Sequence, residues 1–300
     1  MNWILASSFD SESGMGHLSR LREFSVYLRQ ISCFHRVLIR VENAAGERLV
    51  KSFFSATDQL LVTSQPTLIC ESPTVLVYDS IQDPEIQFQT SPRLTVSLSP
   101  LYIKNNSVDL VISRGYSYDS QNVIQYSGSE YAIHRNLPVE FTGGKKRVVL
   151  HVGGGSHKPR ILRILHAVIR STVTLNDSEL ICFDKSVTLE GATQKDFDRF
   201  VFRSQDIVFT TGGLSLSEAL ASGLATVNIF LSEKHRAVAD PTLVNQENLF
   251  DLGLFSELLT PSGFSNATKS LDDNVQNIPT GSQKRCGGPS AVHDRIRSLL

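Results

Sequence analysis

Short apolar runs alternate with stretches of helical spacing along most of this chain. Residues 3–8 are dominated by Trp, Ile, Leu and Ala and read as a buried strand. A loop rich in Asp, Ser and Gly follows over 9–16. Over 17–30, Leu18, Leu21, Phe24, Tyr27 and Leu28 recur at helical spacing, which predicts an amphipathic helix. Strand candidates follow at 36–41, 59–63, 74–78, 94–98 and 108–113, with a helix-like stretch at 44–54. Strands separated by helices or long connections predict a parallel sheet with crossovers.

Residues 138–146, with a Pro, two Gly and two Lys close together, are the best linker candidate, and the pattern restarts beyond them. A strand at 147–152 leads into a glycine-rich loop at 153–159 and a helix at 160–171. Further strands are expected at 179–183, 207–210 and 225–230, and helices at 214–222 and 245–252. Two such series predict an α/β protein of two Rossmann-like domains, 1–140 and 141–300, with an interdomain cleft. Ligands of these sheets sit at the carboxyl ends of the strands, so the loops there are the candidate sites. Residues 270–289 are polar and expected as a loose connection, and a helix-like 291–300 is expected to dock on the body.

Composition supports two cores. The chain has 300 residues, 41% of them hydrophobic and 20% charged. Its 29 Lys+Arg against 30 Asp+Glu leave a net charge of −1, which argues against a partner bound through nucleic-acid phosphates. Cys33, Cys70, Cys182 and Cys286 are far apart with no CxxC pair, so neither a disulfide framework nor a zinc knuckle is indicated. No apolar run reaches the roughly 18 residues of a membrane span. The first apolar run also lacks a basic segment before it, so a soluble, cytoplasmic protein is expected. The sequence does not fix the oligomeric state.

Three loops carry candidate chemistry. Gly14 and Gly16 allow close backbone approach before the first helix, and His17 lies at that helix's N-terminus. The positive end of the helix dipole disfavours an imidazolium there, as a general base near pH 7 requires. The second loop carries Gly153, Gly154 and Gly155 after the first strand of the second half. In the third, a strand runs through Thr210-Thr211-Gly212-Gly213 directly into a helix, exposing backbone N–H groups that suit a diphosphate. Glu218 follows about one and a half turns later, where a carboxylate can accept two hydrogen bonds from a vicinal diol such as ribose. Asn245 and Gln246 offer amides downstream for sugar hydroxyls. A nicotinamide dinucleotide fingerprint is a weaker reading of the first loop. Gly14-x-Gly16 and Glu42 fit it, but Ser19 stands where its third glycine belongs.

Together these loops resemble the GT-B nucleotide-sugar enzymes, and most closely the UDP-sugar hydrolases of the pseudaminic-acid pathway and their polysaccharide-biosynthesis relatives. Residues 14–20 (GMGHLSR) are similar to that group's GxGHxxR, and 127–135 (SGSEYAIHR) to its G-x-x-YAxxR. Residues 211–218 (TGGLSLSE) resemble the glycine–glutamate motif shared with the peptidoglycan lipid-linked N-acetylglucosaminyltransferase, and 245–248 (NQEN) the element that follows it. The resemblance implies a GT-B-like fold whose second domain holds UDP, with Gly212 and Gly213 at the diphosphate, Glu218 at the ribose and Gln246 at the sugar. His17 is implied as the catalytic base, activating water or an acceptor hydroxyl. Gly14, Gly16, Arg20, Gly153, Gly154, Leu214, Ser215 and Asn245 complete the candidate substrate-binding set. No metal or other cofactor is expected.

The sequence departs from the hydrolases in places. Leu98-Ser99 replaces their Asp-Asp pair, and Ile81 stands where an aromatic residue is expected two places after Asp79. The expected activity is metal-independent hydrolysis of a UDP-linked deoxyamino sugar. The alternative is inverting glycosyl transfer from a UDP-sugar, and behind both stand a non-catalytic nucleotide-sugar binder and an NAD-dependent dehydrogenase.

Overall fold

The β-branched runs condense into two parallel sheets. This is seen in a computed structural model that describes residues 2–9, 15–54, 59–64, 68–70, 73–80, 86–98, 108–113, 123–141, 144, 146–153, 158–233, 236, 246–281 and 288–300. The chain divides into two compact units, Met1–His134 with Cys286–Leu300, and Arg135–Arg285.

The first unit contains β1 (Trp3–Phe9), α1 (Gly16–Gln30), β2 (His35–Val41), α2 (Ala44–Phe53), β3 (Leu60–Thr63), β4 (Val75–Tyr78), β5 (Leu94–Ser97), β6 (Leu110–Ser113) and β7 (Ile124–Ser127). Its strands lie in the order β3-β2-β1-β4-β5-β6-β7, and every pairing is parallel. The α1 periodicity is realised: Leu18, Leu21, Phe24 and Leu28 are fully buried against the sheet.

The second unit contains β8 (Arg147–Leu150), α3 (Lys158–Ser171), β9 (Glu179–Cys182), β10 (Ala192–Gln194), β11 (Ile207–Thr210), α4 (Gly213–Ala221), β12 (Ala225–Phe230), β13 (Leu249–Leu254), α5 (Phe255–Leu258) and α6 (Pro261–Asn274). The order is β10-β9-β8-β11-β12-β13, again all parallel. β8, β11 and β12 are buried along their whole length, as strands covered on both faces must be. In both units the order reverses at the first strand, whose second neighbour is the fourth. That reversal opens a crevice above the carboxyl edge.

Several expectations are corrected. The helix expected over 245–252 is not formed by the described residues 246–252: 249–254 is the edge strand β13, paired with β12. Within the segment expected to be a loose connection, α6 runs to Asn274, and Leu271 and Val275 are buried in the second core. The segment expected as a bare linker contains a short strand, Val139–Glu140, paired in parallel with Phe202–Arg203.

The last helix, α7 (Gly288–Arg297), packs on the first unit although residues 141–300 were expected to go together. Val292 and Ile296 are fully buried in the core that holds Trp3 and Phe24. The His293 ring stacks on Trp3, with centroids 5.5 Å apart. The Arg295 guanidinium lies 4.0 Å from the Tyr126 ring centroid. Among the described residues, no helix is long and apolar enough to cross a membrane.

Docking of α7 is testable because Trp3 is the only tryptophan and lies beneath it. Ile296→Ala is expected to destabilise the first unit by about 2–5 kcal/mol, the usual range for truncating a buried aliphatic side chain. Urea unfolding followed by Trp3 fluorescence would show this as a lower midpoint. Leu299→Ala, at a residue 37% exposed, should move the midpoint little.

Candidate functional site

At the reversal point of the first unit, three charged or ionisable side chains meet. β4 ends at Tyr78, so Asp79 and Ser80 lie just beyond the carboxyl edge, beside the end of β1. The Asp79 N–H donates to Ala6 O at 3.0 Å, and its carbonyl accepts from Ser7 Oγ at 2.5 Å. Ser8 Oγ and Ser80 Oγ are also 2.5 Å apart. These bonds fix the Asp79 backbone, and its side chain is completely buried.

α1 supplies the partners. His17 and Arg20 are three residues apart and so share a helix face. The Arg20 guanidinium grips Asp79 with both arms, Nε to Oδ2 and Nη2 to Oδ1, each at 2.7 Å. His17 Nδ1 stands 2.5 Å from Asp79 Oδ1 and 2.9 Å from Arg20 Nη2. A carboxylate only accepts, so Nδ1 carries the proton and donates it to Asp79. In the neutral imidazole, Nε2 is then the lone-pair nitrogen, and among the described residues nothing bonds to it. An aspartate that orients a histidine and stabilises the imidazolium it becomes is the arrangement a general base needs.

Burial alone would raise the Asp79 pKa. The opposing charges of Arg20 and His17, with the hydrogen bonds from both, overcome that and hold it at about 2, below the ordinary 3.8. Burial likewise works against the Arg20 charge, yet Asp79 keeps its pKa raised.

The second unit builds its site from the same two strand ends. After β11, Gly212 and Gly213 turn the chain into α4 with φ of 76° and 65°, a region that favours glycine. Asn228, on the neighbouring β12, holds this turn: its Oδ1 accepts from Gly212 N at 2.6 Å and from Thr210 Oγ1 at 2.9 Å. No side chain caps α4, so its N-terminal N–H groups are left to a ligand or to water. Gly212 is the exception, because its N–H is already taken by Asn228. Ser215 Oγ donates back to Gly212 O at 3.1 Å, and Leu214 is half-buried.

Glu218, buried within α4, accepts a 2.7 Å hydrogen bond from His151 Nε2. His151 follows β8, and its ring stacks on Phe197 with centroids 4.6 Å apart. Two residues on, Gly153 N donates to Thr211 Oγ1 at 3.2 Å, tying the two strand ends together.

The candidate residues thus fall into separate groups. The structure brings His17 and Arg20 together around Asp79, while Gly16 begins α1 next to them. It gathers Gly153, Gly212, Gly213, Leu214, Ser215 and Glu218 at one edge of the second sheet. Gln246 lies before β13 instead of opening a helix, and its carbonyl accepts from Leu249 N at 3.1 Å. Gly14, Gly154 and Asn245 lie outside the described residues. Asn248, from the same motif, is structural: it is buried, and its Nδ2 donates to Leu224 O at 2.9 Å.

Sequence reasoning matched Asp79 to an acidic position after a strand without giving it a role, and it missed His151 and Asn228. An acid directly after a strand was a signal for Asp79. Nothing local marks His151 or Asn228, because their partners lie 67 and 16 residues away. Among the described residues, no group of three or more His, Cys, Asp or Glu is placed to hold a metal ion.

No protein-family model and no curated sequence matches this chain. Solved structures do match over its full length. The chain is similar to the S. aureus MnaA–UDP co-structure, with TM-score 0.55, 10% identity, and 100% of this chain and 96% of that one covered. It is similar to UDP-GlcNAc 2-epimerase from Neisseria meningitidis bound to UDP-GlcNAc, with TM-score 0.54, 10% identity and 100% of both chains covered. It is also similar to MurG from Acinetobacter baumannii, with TM-score 0.50, 11% identity, and 99% and 100% covered. At such identity the likeness speaks to the fold, which is the GT-B fold of two Rossmann-like units.

The Asp79 cluster makes a pH prediction. Its folded pKa is depressed, so the stabilisation is complete above the ordinary 3.8 and is lost as pH falls towards about 2. The proton-linked part is on the order of 2 kcal/mol. The stability difference between wild type and Asp79→Asn, read from thermal melts, is therefore expected to shrink below pH 4. A difference that does not change with acid would contradict an ionised, paired Asp79.

Proposed function

We propose that this protein is a nucleotide-sugar enzyme that transfers a sugar from a UDP-sugar to a hydroxyl acceptor with inversion at the anomeric carbon. The second unit holds the donor and the first supplies the base. The observation that carries this reading is the uncapped N-terminus of α4 at the reversal point, with the buried carboxylate of Glu218 farther along the same helix. Two of the similar structures are described by their bound UDP or UDP-GlcNAc, which makes uridine the base to test first.

In this reading the first-turn N–H groups of α4 from Gly213 onward meet the diphosphate, Glu218 accepts from the ribose diol, and Gln246 meets the sugar. His17 Nε2 takes the proton of the acceptor hydroxyl as its oxygen bonds to the anomeric carbon. The bond from that carbon to the diphosphate oxygen breaks on the opposite face, and UDP leaves. Charge growing on the diphosphate is stabilised by oriented backbone N–H groups. Arg20 acts through Asp79, keeping it ionised and aimed at His17. Water in place of the acceptor gives hydrolysis by the same steps.

Calorimetric titration with UDP, with NAD+ as control, is the first test. UDP is expected to bind, and Glu218→Ala to weaken it by roughly 1–3 kcal/mol, as expected for losing a buried acceptor of the diol. NAD+ binding without UDP binding would replace the reading with a dehydrogenase. His17→Ala should bind UDP as the wild type does, while turnover of a UDP-sugar falls by roughly 10²–10⁴-fold. Unchanged turnover would remove His17 from the chemistry, and free sugar as the sole product with acceptors present would make water the acceptor.

A further inference from the structure

Within the donor site, one polar group has no part in the reading so far. His151 stands just beyond β8, where its N–H continues the sheet ladder to Phe209 O at 2.9 Å. Its ring is set by packing: stacked on Phe197 at an interplanar angle of 22°, and edge-on to Phe183 at 84°. The ring and the Glu218 side chain are only 12% and 5% exposed. A carboxylate cannot donate, so Nε2 carries the hydrogen in the 2.7 Å bond to Glu218 Oε2. Among the described residues no hydrogen bond reaches Oε1, which leaves that oxygen as the acceptor on offer.

We infer that His151 is the positioning residue of the diol-binding carboxylate. Its Nε2–H holds one oxygen of Glu218 so that the other faces a ribose. The inference rests on the assignment of Glu218 to the ribose and adds what aims it. Helix α4 by itself does not fix the carboxylate, because a glutamate has three rotatable side-chain bonds and a choice of rotamers. The bond to a ring already clamped by Phe197 and Phe183 selects one of them. Two hydroxyls can then be met without reorganisation, and the site gains its preference for a ribonucleotide over a deoxyribonucleotide.

The full-length protein is titrated with UDP and with 2′-deoxy-UDP, which lacks one hydroxyl of the diol. Wild type is expected to prefer UDP. His151→Ala should lose most of that preference, about tenfold, by weakening UDP and leaving 2′-deoxy-UDP nearly unchanged. His151→Phe keeps the stack on Phe197 without the donor and should behave like His151→Ala. His151→Gln places an amide N–H near Nε2 and should restore the preference. If His151→Phe keeps the wild-type preference, or weakens both ligands equally, the positioning role is overturned and His151 only supports the fold. Glu218→Ala distinguishes the two levels of the argument. It should abolish the preference, and if it does not, or if wild type binds no UDP, the ribose assignment itself fails.

Discussion

A parallel sheet whose strand order reverses at its first strand forces two neighbouring loops apart above the carboxyl edge. The His17, Arg20 and Asp79 cluster and the His151–Glu218 pair both lie at such a reversal. In the first unit the ends of β1 and β4 lie at this point, and the His17, Arg20 and Asp79 cluster sits beside them. In the second unit the ends of β8 and β11 lie at this point, and His151, Gly153, Thr211 and the Gly212–Gly213 turn meet there. Elsewhere β8, β11 and β12 are buried along their length, mostly by hydrophobic residues. The crevice is where backbone and side-chain polar groups are close enough to pair and still within reach of a ligand.

The two units use the same kind of pair in opposite senses. In the first, a fully buried carboxylate is the fixed element and the histidine is the proposed working end. Desolvating a carboxylate is costly, and Asp79 stays ionised only because Arg20 grips both oxygens and His17 donates to one. In the second unit the histidine is the fixed element, held in an aromatic cluster, and it holds the carboxylate of Glu218 by one oxygen. In the proposed roles, a base must be aimed by something that does not move, and so must a diol acceptor. The fold meets both needs by tying a side chain from one strand end to a side chain from the helix beside it.

The terminal helix shows how contacts distant in sequence complete a core. Val292 and Ile296 fill the space beside Trp3, the Arg295 guanidinium lies over the Tyr126 ring, and the His293 ring stacks on Trp3. Tyr131, in the segment likened to a sequence motif, accepts from Arg295 Nη2 at 3.3 Å. Its place is therefore under α7, in packing.

Local periodicity by itself determined most of the elements here. The spacing of Leu18, Leu21, Phe24 and Leu28 declared α1, and short apolar runs declared the main strands, because burying one face demands a fixed repeat. The turn chemistry of Gly212 and Gly213 was equally legible, since positive φ is written into glycine. Reading by composition was less reliable. Around 270 the polar residues obscured a four-residue spacing of Ala267, Leu271 and Val275 that marks α6. The short mixed run within 245–252 reads as helix by itself, and its partner β12 is what makes 249–254 a strand. Tertiary structure alone decided that Asp79 holds His17, that His151 holds Glu218, that Asn228 takes the Gly212 N–H, and that α7 returns to the first unit. Each of these is a pairing between distant positions, and a pairing exists only once the chain has folded to bring a donor to an acceptor.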